Sequence, residues 1–272
     1  ARFFAPLRMT AGEGLRMTGV LFGVLTILFF FPLQTTALAW EKEDLKTLER
    51  ANKDYRQGRF QKAIEGYQAL AQQFPRDGGL LYNQGNAHYR LENLGAAILA
   101  YERAKWLEPR NADIRHNLKY LLDSLEYRIE DKRNWYVQLG EKFLSYFTEK
   151  EIRFAVILVF FLLTASWSVC LFFFGAPPWG WPRKLLLAAS LILAVFWGGK
   201  NIQSHWIRAA IVTAKEAPVR YGPSEGDQVA VRLREGLKVY VVERREDWSR
   251  VLLVNGESVW LDNQQIAEIR LR

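Results

Sequence analysis

The sequence predicts a multidomain chain in three parts: all-α helical repeats, two transmembrane helices and a small all-β barrel. Three observations predict it. Residues 41–130 repeat themselves at a fixed offset of 34. Two apolar runs follow, Phe154 to Phe174 and the stretch between Lys184 and Lys200. From residue 207 the pattern changes to short alternating strands, with Asn255-Gly256 as a hairpin signal.

Composition sets the bounds. With 50% apolar and 14% aromatic residues over 272 positions, the chain is too hydrophobic to stay disordered. The net charge of +8 divides into +2, +2, +3 and +1 over residues 1–40, 41–147, 148–206 and 207–272. No segment concentrates it, which argues against a nucleic-acid partner. One cysteine, Cys170, excludes an intramolecular disulfide, a cysteine zinc site and an iron–sulfur site. Three histidines leave little for metal chemistry. No phosphate-cradling loop and no metal motif is present, so no cofactor and no metal is expected.

Residues 1–39 read as a signal segment with an unstructured preface. Arg16 precedes the apolar run Gly19–Leu33, and Ala37-Leu38-Ala39 supplies a cleavage pattern. Met9 and Met17 are candidate starts. An uncleaved anchor is the alternative and leaves the topology unchanged.

Residues 41–133 read as helical repeats plus a capping helix. Tyr55 recurs as Tyr89, Ala63 as Ala97, Ile64 as Ile98, Tyr67 as Tyr101 and Pro75 as Pro109, each 34 residues on. A helix–turn–helix of that period is the tetratricopeptide signature. Ala51 and Gly85 are the small residues expected where two helices cross. Ile114, Leu118, Leu121, Leu122, Leu125 and Ile129 give a third helix one apolar face to cover the array.

The strings NKDYR (52–56) and NAHYR (86–90) place three pairs in rows: Asn52 with Asn86, Tyr55 with Tyr89, Arg56 with Arg90. Amide, phenol and guanidinium groups suit a peptide backbone or a carboxylate, so these six are the candidate peptide-binding groove. The alternative is that both tyrosines pack within their repeats and the rest is solvated.

Residues 134–152 read as an interfacial helix, with Trp135, Leu139, Phe143 and Phe147 on one stripe facing a lipid bilayer. Residues 153–175 and 183–202 read as transmembrane helices, divided by Pro177-Pro178 and Pro182. Trp179, Trp181, Trp197 and Trp206 suit the membrane interface. A re-entrant hairpin is the alternative for the second. Parity then puts the repeats and the barrel on the same, non-cytoplasmic side of the membrane.

Residues 207–272 carry a family resemblance. Val219-Arg220 with Gly222-Pro223-Ser224, then Glu235-Gly236, Asp247-Trp248 and Trp260, resemble a bacterial SH3 domain. The resemblance implies binding of peptides or cell-wall material without catalysis. It makes Tyr221, Tyr240, Trp248 and Trp260 candidates for the binding surface, although Val259 stands where the family usually has glycine before the last tryptophan. Gly222-Pro223-Ser224-Glu225-Gly226 also fits G-x-S-x-G. A nucleophile elbow needs a helix after it and a later histidine, and this segment has neither.

The order of parts over residues 17–270 resembles the tetratricopeptide–SH3 membrane protein of bacterial Bat aerotolerance operons. That resemblance implies a non-enzymatic partner role beside von Willebrand A-domain proteins and a MoxR-type ATPase. Envelope recognition through peptidoglycan is the competing expectation.

Overall fold

A computed structural model describes residues 40–125, 129, 133–174, 180–205 and 208–270, with backbone only at 167–174, 181–183, 186 and 203–205. The signal segment, Trp179 and Trp206 lie outside the described residues. The helices are α1 (Lys42–Arg56), α2 (Phe60–Gln73), α3 (Gly78–Arg90), α4 (Leu94–Leu107), α5 (Ala112–Ser124), α6 (Trp135–Ser145), α7 (Glu149–Phe174) and α8 (Trp181–His205). Seven strands follow: β1 (Arg208–Val212), β2 (Glu216–Arg220), β3 (Val229–Arg234), β4 (Lys238–Arg244), β5 (Trp248–Leu252), β6 (Ser258–Asp262) and β7 (Ile266–Glu268).

The expected fold class needs correction. Among the described residues no helix is long and apolar enough to cross a membrane. Spans 153–175 and 183–202 therefore do not stand as transmembrane helices. A bilayer core demands ~20 apolar residues. In α7, Glu149, Lys150, Glu151 and Arg153 fill the start. In α8, Lys184 and Lys200 bracket a shorter run. The fold is eight helices and a seven-stranded antiparallel sheet among the described residues. The described residues of Glu149–Lys200 form one compact unit, and those of Leu38–Thr148 and Asn201–Arg272 form another.

In the second unit the repeat period is written into backbone hydrogen bonds. Arg59 N donates to Asp54 O, and Asn93 N to His88 O. Phe74 N donates to Leu70 O, and Glu108 N to Ala104 O. Asp77 caps α3 through Leu80 N, and Asn111 caps α5 through Ile114 N, again 34 positions later. So α5 begins a third repeat. It stops at Ser124, because Leu125 is extended, and Ile129 packs on the barrel core rather than on this helix face.

The inter-helix turn needs a left-handed residue. Gly58 takes it at φ 75°, and its counterpart Glu92 takes it at φ 59°. A side chain there carries backbone strain that glycine lacks. Helix crossing uses small residues in exchanged order. A Cβ on Gly66 would meet Ala51 Cβ at 2.8 Å, whereas a Cβ on Gly85 would meet the Tyr101 ring at 2.7 Å.

The sheet runs β3-β2-β6-β5-β4-β1-β7. It has more strands than the four or five expected, because β1 and β7 add an edge pair. Val219, Leu233, Val239, Val251, Val259 and Leu261 fill its interior. β1 has two apolar faces. Ala210 and Val212 point into the barrel, while Ile211 joins Ala97, Ile98, Tyr101, Leu118 and Leu121 of the repeats. Ile269, just past β7, belongs to the same repeat cluster.

The barrel thus docks on α4, and glycines set how closely. A Cβ on Gly95 would lie 2.8 Å from Val212 O, and one on Gly236 (φ 86°) would lie 2.6 Å from Ile98 Cδ1. Glu235 Oε2 accepts from Gly95 N at 2.7 Å, closing the α4 N-terminus where Asn93 makes no side-chain cap. Arg103 donates to Glu268 O through Nη2 at 2.8 Å. Burial pushes the Glu102 carboxyl up, but Lys238 and Lys105 outweigh it and hold it below the ordinary carboxylate range.

Two outcomes are expected. Glu92→Gly relieves the left-handed strain and raises unfolding stability by a few tenths to ~1 kcal/mol; an unchanged or lower urea midpoint would refute this. Gly95→Val forces the barrel off α4 and costs about 1–3 kcal/mol, with Trp248 and Trp260 fluorescence and helical circular dichroism melting in separate transitions instead of one.

Candidate functional site

The repeats surround a cavity of about 410 Å³. Tyr55 from α1 and Asn86, Tyr89 and Arg90 from α3 line one side. Tyr101 from α4 and His116, Asn117, Tyr120 and Leu121 from α5 line the rest. Four of the six expected groove residues are brought together here. Asn52 and Arg56 are not in the lining: Asn52 Oδ1 accepts from the Tyr67 hydroxyl at 2.8 Å, and Arg56 is exposed. The α5 contribution escaped sequence reading, because that helix reads as a cap. The matching caps Asp77 and Asn111 are the signal that reveals it.

The chemistry of the lining follows from its internal bonds. Tyr101 OH donates to Asn86 Oδ1 at 2.6 Å, and Asn117 Nδ2 donates to the same oxygen at 3.2 Å. With Oδ1 committed, Asn86 offers a ligand its Nδ2 donor. Asn117 Nδ2 also reaches Tyr82 OH at 3.1 Å. The Arg90 guanidinium stacks 4.7 Å from the Phe60 centroid, which fixes its plane at the cavity edge. Tyr89 meets Tyr120 edge to face, with centroids 6.3 Å apart. The lining holds no carboxylate. Donors, phenol rings and one guanidinium suit an acceptor-rich segment such as a peptide backbone or a carboxylate.

Burial pushes the Tyr67 hydroxyl up to about 12, and it pushes Tyr101 up as well. Both phenols are therefore held neutral, as a donor to asparagine must be.

The barrel candidates are dispersed. Tyr221 stands in the turn after β2 with 67% of its surface exposed. Tyr240 on β4 is half-buried; Arg133 Nη1 donates to its hydroxyl at 3.2 Å and stacks 5.5 Å from its ring. Trp248 on β5 is half-buried, and Trp260 on β6 is 8% exposed. Trp260 points away from the core, since Val259 and Leu261 point into it. Arg220 and Arg250 are its cross-strand neighbours, and the Arg245 guanidinium lies 4.6 Å from its ring. Sequence reading missed this arginine fringe, because only strand register brings it together. The segment 222–226 is a turn between β2 and β3, with no helix after it.

Residues 213–268 match the family model of the bacterial SH3 domain. The chain carries that domain as its carboxy-terminal barrel. No curated protein and no solved structure matches the chain. Among the described residues no group of three or more His, Cys, Asp or Glu could hold a metal ion.

The raised phenol of Tyr67 carries a pH signature. A group with a raised folded pKa stabilises fully below its unfolded value and loses that contribution as pH climbs through its folded one. The melting temperature should fall between pH ~10 and ~12, and less steeply in Tyr67→Phe. Equal alkaline slopes in both proteins would contradict the burial of the Tyr67 hydroxyl.

Proposed function

We propose that this chain is a non-enzymatic interaction scaffold. Its tetratricopeptide-type repeats hold a peptide segment of a partner protein, and its bacterial SH3 domain contacts the same partner or the cell wall beside it. The observation that carries this reading is the cavity of Tyr55, Asn86, Tyr89 and Arg90 on repeats that the barrel grips through Gly95 and Gly236. Two recognition surfaces on one body raise the effective concentration of each for a bridging target.

The signal-like pattern of residues 1–39 supports placing both modules outside the cytoplasm, at the bacterial inner membrane. The order of repeats and barrel supports a Bat-type envelope complex with von Willebrand A-domain proteins as partners. A second reading, peptidoglycan recognition, is favoured by exposed Tyr221 and by the arginine-fringed Trp260 in an SH3 domain.

Purified full chain, offered a purified von Willebrand A-domain Bat protein and purified peptidoglycan, separates the readings. Asn86→Ala with Arg90→Ala should weaken the protein complex roughly tenfold, equivalent to losing ~1.4 kcal/mol, and leave wall retention unchanged. Retention on the wall alone, lost in Tyr221→Ala, would transfer the function to the barrel.

A further inference from the structure

The helix α6 does two things at once. Its acidic side is fastened inside its own unit. Glu141 Oε2 accepts from Arg133 Nη1 at 2.9 Å, and Glu141 Oε1 lies 3.8 Å from Lys238 Nζ and accepts from Tyr240 OH at 3.5 Å. Lys238 and Tyr240 belong to β4, so the helix is tied to the barrel. Its other side is an aromatic stripe. Trp135, Leu139 and Phe143 follow one another at a spacing of four, with Tyr136 and Tyr146 alongside, and all five are exposed. Trp135 shows 74% of its surface.

The stripe contains no carboxylate. Lys142 stands exposed at its margin, and the Arg110 guanidinium lies 5.9 Å from the Tyr146 ring. Rings with an apolar body and a polar tip, edged by cations, match the headgroup boundary of a bilayer carrying anionic lipid.

We propose that α6 lies in the plane of an anionic lipid surface and, through Glu141, holds the barrel at a fixed orientation to it. No crossing is involved. Phe147, expected on this stripe, is half-buried, so the lipid face is Trp135, Tyr136, Leu139, Phe143 and, at the helix C-cap, Tyr146.

The test uses the full chain with Cys170→Ser and one new thiol, Leu139→Cys or Glu257→Cys, each carrying an environment-sensitive fluorophore. Both positions are exposed, so neither label disturbs packing. On phosphatidylcholine–phosphatidylglycerol vesicles, the label at 139 should shift to the blue. Brominated acyl chains should quench it several-fold more than the label at 257. Lys142→Glu should raise the half-saturating lipid concentration about tenfold, the effect of reversing one surface charge. Equal quenching at both sites, or none at 139, overturns the proposal. A blue shift at 139 without vesicles, together with doubled mass in light scattering, also overturns it and makes the stripe a contact between two copies.

Discussion

The second repeat and the barrel meet where two glycines leave no room for a side chain. Gly95 lets the β1 backbone approach the start of α4, and Gly236, left-handed at φ 86°, lets the β3–β4 turn approach Ile98. Everything else at this junction depends on that separation. Glu235 reaches the α4 N-terminus only because Gly95 admits the strand. A carboxylate there satisfies a helix N–H and faces the positive end of the helix dipole. Arg103 reaches Glu268 O, and the Lys238 charge reaches Glu102, at the same spacing. Without the glycines the polar contacts would be stretched, and Ile211 and Ile269 would lose their cover.

The repeat was plain in the sequence because it is a set of identities at one offset. The buried tyrosines Tyr67 and Tyr101 follow from that offset, but their bonds to Asn52 and Asn86, which the sequence places in the groove, do not. The docked barrel was legible only in part. Its strands and hairpin turn announce themselves, but the partner of its outer face does not. One clue lay in α4: Gly95, Ala97, Ile98, Leu99, Ala100, Tyr101 and Ala104 are all buried. A helix apolar all round has neighbours on more than one side. β1, with Ala210 and Val212 facing one way and Ile211 the other, says the same of a strand.

Hydropathy misled where it was read as run length. The charged first turns of α7 and the lysines that bracket the apolar run of α8 limit the apolar length each helix offers. An apolar helix face can in principle meet a surface without crossing it. The stripe on α6 makes that distinction concrete, since Glu141 on its far side is occupied by Arg133, Lys238 and Tyr240. Such a helix cannot roll freely to bury itself.

The cavity between the repeats is shaped by its own hydrogen bonds before any ligand enters. Tyr101 and Asn117 fix the Asn86 amide, and Phe60 fixes the Arg90 plane. Side chains already held in place lose little entropy on binding, which is where much of the affinity of small interfaces is lost. The same holds between the modules. A flexible linker would spread the barrel over many positions relative to the groove and dilute any bridging contact. Docking through Gly95 and Gly236 confines it to one. On the proposed reading, a partner that bridges the two surfaces would have to match their spacing, and rigidity alone would reject mismatched ones.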